Sequence, residues 1–116
     1  MTIKIIDIID TDFAVTTDNG IKVFDEMDRY LSNNKEVTID FTGIKTMTTA
    51  FLNAAIGQLY SKKKYDSEFL NKHVKPIGFK ENHLLLLKMV IARAKEYFAD
   101  KDTFTKNLDE SIDGDN

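Results

Sequence analysis

Residues 3–9, Ile-Lys-Ile-Ile-Asp-Ile-Ile, are rich in β-branched side chains and predict a strand, with Ile3, Ile5, Asp7 and Ile9 on one face. Asp7 breaks that apolar row, which places the strand near a sheet edge. Phe13 and Val15 alternate within residues 11–17 and predict a short second strand. Residues 16–20, Thr-Thr-Asp-Asn-Gly, then supply N-cap residue types. Ile21, Phe24, Met27 and Leu31 recur at helical spacing, with Val23 and Tyr30 beside them, and predict an amphipathic helix of about 13 residues. Residues 36–41 predict another strand, with Val37, Ile39 and Phe41 on one side and Thr38 and Asp40 on the other.

Gly43 marks a turn. After it, residues 50–60 predict a helix with rows Phe51/Ala55/Leu59 and Leu52/Ile56/Leu59, and small residues at 50, 54, 55 and 57 that permit close packing. Residues 66–72 predict a short helix. Residues 74–79 predict an edge strand, since Pro76 cannot donate to a central ladder. The longest helix runs from Glu81 to about Lys101, with Leu84, Leu87, Ile91, Ala94 and Phe98 as its core row. Its first three turns are apolar nearly all round. The surplus at Leu85, Leu86, Met89 and Val90 suggests a homo-oligomer interface. Alternating strands and helices imply an α/β fold with a mostly parallel sheet: three or four strands, with three main helices packed on it.

A content of 42% hydrophobic and 30% charged residues is that of a globular chain. The absence of cysteine excludes disulfides, thiolate metal sites and Cys nucleophiles, and points to the cytoplasm. No apolar run approaches the roughly 18–20 residues of a membrane span. Residues 1–12, with Asp7, Asp10 and Asp12, do not read as a signal peptide. The formal net charge of −3 is uneven. Residues 58–80 hold six Lys against Asp66 and Glu68, with Tyr60, Tyr65 and Phe69 interleaved. That mixture can bind single-stranded nucleic acid through residues 62–80, although Lys at a helix C-terminus also complements the dipole. The acidic total argues against nucleic acid as the main partner. Residues 102–116 are acidic and read as a disordered tail behind a domain of residues 1–101.

His73 and His83 form no HExxH pattern and read as surface or cap residues. No Gly-rich phosphate loop or nucleophile elbow is present. Asp7, Asp10 and Asp12 read as a solvated strand end rather than a metal site. The expectation is therefore a binding protein and not an enzyme, with no cofactor and no metal. A strand that delivers Asp40, a turn at Gly43 and hydroxyls at a helix start form the informative segment, because open α/β sheets bind ligands at the C-terminal ends of strands. Thr46, Thr48 and Thr49 either cap the helix or face a partner.

Residues 37–53 resemble the centre of a STAS domain, the fold of the anti-sigma-factor antagonists. The closer likeness is to the STAS-like family of unknown function in bacteria and phages. It rests on Asp40-Phe41-Thr42-Gly43 and on Thr48-Thr49-Ala50-Phe51-Leu52-Asn53. Gly20 before the first long helix, and the apolar C-terminal helix, are also similar. The resemblance implies a regulatory protein–protein interaction module. In the antagonists a histidine-kinase-like ATPase phosphorylates the hydroxyl at the helix start and the partner is released. Carried over, Thr49 and then Thr48 are the phospho-acceptor positions. The partner surface is Asp40, Gly43, Thr46, Thr48, Thr49, Phe51, Leu52 and Asn53. This chain has Thr where the antagonists usually have Ser, Phe51 where they have Gly, and Met47 where they have Asp. An alternative expectation is an oligomeric inhibitor of a host system, encoded by a phage or mobile element.

Overall fold

Asp7 decides how the chain begins. In a strand it would share a row with Ile3, Ile5 and Ile9. In a helix Ile5 and Ile9, four apart, stay together while Asp7 turns away. The chain takes the second course: β1 is Thr2–Lys4 and α1 is Ile5–Ile9. Ile5 and Ile9 are buried and Asp7 is exposed. Asp10 closes the helix in the left-handed region at φ 59°, its N–H donating to the Ile6 carbonyl at 3.0 Å. The strand expected over residues 3–9 is thus corrected to a short strand and a helix. The structure is a computed structural model and describes residues 1–61 and 64–99. Lys62, Lys63, the domain limit at 101 and the tail at 102–116 lie outside the described residues, as does the Phe98 side chain.

The next elements are β2, Phe13–Ala14, and α2, Thr17–Leu31. Thr16 caps α2, its side chain accepting from the Asn19 N–H at 3.1 Å. Gly20 stands inside this helix rather than before it. The buried row is Gly20, Val23, Met27 and Leu31, so Met27 and Leu31 belong to the core as expected, while Ile21 is 40% exposed and Phe24 half-buried. The rotation follows from a close approach: a Cβ on Gly20 would lie 2.5 Å from the Phe51 carbonyl oxygen.

β3 is Val37–Asp40 and β5 is Val74–Ile77; with β1 they form a parallel sheet of order β1-β3-β5. Ile3, Ile39 and Pro76 are in register across it. Pro76 thus sits on an edge strand, where its missing donor costs least. β4, Thr46–Met47, pairs in parallel with β2 as a separate two-stranded sheet. The described residues therefore hold five strands in two sheets, where three or four were expected.

The helix expected over residues 50–60 is interrupted. α3 is Thr49–Leu52, a π-helical turn spans Asn53–Gly57, and α4 is Gln58–Ser61. The wide turn buries Ala54, Ala55, Ile56 and Gly57 in succession. A regular helix with one solvated side would expose one of four consecutive residues. This rod is the axis of the core: α2 approaches it at Gly20, and α6, Glu81–Ala99, approaches at Val90, 3.4 Å from where a Gly57 Cβ would stand. α5 is Ser67–His73, capped by Asp66 through the Phe69 N–H at 2.8 Å. The buried row of α6 is His83, Leu87, Val90 and Ala94, one residue out of phase at its start from the row expected from Leu84. No described helix is long and apolar enough to cross a membrane.

Candidate functional site

The loop after β3 is set by a local hydrogen-bonding motif. The Asp40 carboxylate accepts from the Thr42 hydroxyl at 2.6 Å and from the Thr42 N–H at 2.9 Å. The Thr42 side chain, then its N–H, hold the Asp40 carboxyl below its ordinary range, with Lys4 on the neighbouring strand adding to this. Gly78, at φ +76°, lies over the turn, where a Cβ would collide with Asp40 Oδ1 and Thr42 Oγ1. Asp40 is thus occupied in holding its own turn. Gly43 follows in the left-handed region at φ +89° and is exposed.

Beyond Gly43 the chain zips against the segment before α2. The Lys45 N–H donates to the Asp12 carbonyl at 2.8 Å, and the Thr48 N–H to the Ala14 carbonyl at 3.1 Å. Asp12 also pairs with Lys45 at 3.6 Å. The Thr48 hydroxyl donates to the Val15 carbonyl at 2.7 Å and accepts from the Phe51 N–H at 3.2 Å. Val15 directly precedes Thr16, the cap of α2. Two helix N-termini, each closed by a threonine, are therefore fastened together, and both present the positive end of a peptide dipole.

The eight residues expected to face a partner divide three ways. Gly43, Thr46, Thr49 and Asn53 are exposed, and Asp40 and Thr48 are half-buried. Phe51 and Leu52 are fully buried and belong to the chain's own core, so neither is available to a partner. The two threonines differ equally sharply. Thr48 has spent its hydroxyl on the cap and on Val15. Thr49 is exposed, and among the described residues no hydrogen bond engages its hydroxyl. Ala50 is also exposed and completes a ridge with Thr49 and Asn53. The Thr16 cap falls within the residues read as N-cap types, whereas nothing in the sequence marked the exposed Ala50.

Within the basic and aromatic stretch Lys64, Lys72, Lys75 and Lys80 are exposed, while Tyr65, Phe69 and His73 are half-buried. Lys64 pairs with Asp28 at 3.0 Å, and the Tyr65 hydroxyl donates to Asp28 Oδ1 at 2.7 Å. The Tyr65 and Phe69 rings stack at 5.3 Å, and Phe69 stacks on His73 at 3.9 Å. An open groove of about 420 Å³ is lined by Leu31, Asn34, Tyr65 and Phe69. His73 closes α5, its Nδ1 2.8 Å from the Phe69 carbonyl oxygen. His83, expected at the surface or as a cap, is 5% exposed, which corrects that reading. Burial, and then Lys80, push its pKa down. Among the described residues no group of three His, Asp or Glu side chains could hold a metal ion. Of the four residues expected at an oligomer interface, Leu85 and Met89 are exposed and Leu86 is half-buried. Val90 lies in the core and is unavailable.

Comparison with protein-family models gives a match over residues 19–84 to a STAS-like domain of unknown function (DUF4325). A search of curated proteins found no match, and a search of solved structures found none. The matched stretch runs from the first turn of α2 through the Gly43–Asn53 surface to the start of α6.

Proposed function

The chain belongs to the STAS-like domain family, and from that premise we propose that it is a regulatory module acting in the cytoplasm, which binds a protein partner through the ridge of Thr49, Ala50 and Asn53, with Gly43 and Thr46 at its margin. The observation that carries the reading is the division of labour between adjacent threonines. Thr48 holds the fold, which leaves the Thr49 hydroxyl exposed at the first position of a helix. A side chain in that position contributes little to its own fold and is open to contact.

The partner is an ATPase of the histidine-kinase-like kind, which transfers the γ-phosphoryl group of ATP to the Thr49 oxygen and leaves ADP. The modification adds about −1.5 to −2 charge at pH 7. Two neighbouring helix N-termini favour that charge locally. The same charge alters the surface a partner must match.

A photo-crosslinking side chain at position 53, compared with one at position 35, tests the surface. Lys35 is exposed and precedes β3, at the opposite end of the strand from Gly43. A protein captured from position 53 only, and lost in Thr49→Glu, is the expected result. Equal capture from both positions would overturn the assignment.

A further inference from the structure

α6 keeps one strip of its surface apolar. Leu85 is 65% exposed and Met89 37% exposed, and Ala92 is exposed as well. Positions 85, 89 and 92 fall on one helix face. Lys88 and Arg93, both exposed, flank them, so the strip combines an apolar centre with positive charge. Such a strip selects an acidic segment that carries apolar side chains at helical spacing.

The chain contains such a segment. Phe104, Leu108 and Ile112 recur every four residues, the spacing of a single helical row. Asp102, Asp109, Glu110 and Asp113 lie among them, and residues 102–116 carry five acidic side chains against Lys106 alone. The segment follows directly from the end of α6. Leu85 lies fourteen residues before Ala99, about 21 Å at 1.5 Å per residue. Residues 100–103, extended, reach about 13 Å, enough to bring Phe104 back beside Ala92, seven residues before Ala99, and a helical row from Phe104 to Ile112 covers about 12 Å, the rest of the way to Leu85. A short tether also holds the local concentration near the millimolar range, so weak docking is well populated. Both the strip and the segment lie outside the residues matched by the family.

We propose that the Leu85–Met89–Ala92 strip of α6 is the docking site of the chain's own C-terminal segment, with Phe104, Leu108 and Ile112 against the strip and its carboxylates against Lys88 and Arg93. The segment therefore shields α6 from other apolar partners, and an acidic amphipathic helix of a partner competes with it.

The chain has no cysteine, so Ser111→Cys in the full-length protein carries a nitroxide at one position only. The expected result is loss of most of the amide signal intensity at Leu85, Met89 and Ala92. Leu108→Asp restores it, and so, in part, does salt at about 0.5 M. Undiminished signals at those three residues, or loss that survives Leu108→Asp, would overturn the proposal. So would loss seen only when spin-labelled and isotope-labelled copies are mixed, since a second copy would then be the occupant.

Discussion

The Thr48 hydroxyl and the Val15 carbonyl meet at 2.7 Å, and that bond ties the start of α3 to the start of α2. Because the same hydroxyl also accepts from the Phe51 N–H, Thr48→Ala removes a cap and a tertiary hydrogen bond at once. The loss should be roughly 1.5–3 kcal/mol, from a cap of ~0.5–2 and a bond of ~1. Thr49→Ala touches no such bond and should stay within about 0.5 kcal/mol of wild type. Urea denaturation of the two variants checks the contrast, and equal losses would contradict it.

Gly20 tests the contact between α2 and the central rod. Alanine is the better helix former by about 0.8–1.0 kcal/mol. A Cβ here, however, would lie 2.5 Å from the Phe51 carbonyl oxygen and 2.7 Å from the Ala54 Cβ. Overpacking of this kind costs roughly 1–3 kcal/mol, and backbone on one side leaves little room to give. Gly20→Ala is expected to lower the urea midpoint. A raised midpoint would mean that propensity prevails and the helices are farther apart.

Gly78→Ala should be as damaging for another reason. Its φ of +76° disfavours a side chain, and the new Cβ would strike the Asp40–Thr42 turn. The strain alone is about 1–3 kcal/mol. Asp40→Ala in the same background should relieve part of it. Simple addition of the two losses would show that the contact is absent.

His83 makes stability depend on pH. Its folded pKa is depressed below the ordinary 6.5 by burial and by Lys80, so the unfolded chain binds the proton more tightly. Its contribution is complete above pH 6.5 and is lost as pH falls from there toward the folded value. Thermal melts between pH 5 and pH 7 should show this slope, and His83→Phe should flatten it. An unchanged slope in the variant would assign the dependence to other groups.

The sequence made the strand over Val37–Asp40, the edge position of Pro76 and the turn at Gly43 legible, because each depends on a local rule: alternation, a missing donor, a positive φ. Phases of helices were harder to read. Leu84 to Leu87 offers four apolar residues in succession, so periodicity cannot choose between a row from His83 and one from Leu84. In α2 the choice was made by Gly20 meeting Phe51, a contact between residues distant in sequence. The π-helical turn likewise answers to packing on both sides of the rod. At the candidate site, hydroxyls at the start of α3 were visible in the chain, but the division between a spent Thr48 and an open Thr49 required the position of Val15.

The reading of Thr49 as the centre of a partner surface is tested most directly by the affinity of a partner captured at position 53 for wild type, Thr49→Ala and Thr49→Glu, measured by titration calorimetry. Wild type and Thr49→Ala should bind alike, while Thr49→Glu should bind about tenfold or more weakly, a cost of about 1.4 kcal/mol or more. Wild-type affinity in both variants would contradict the account.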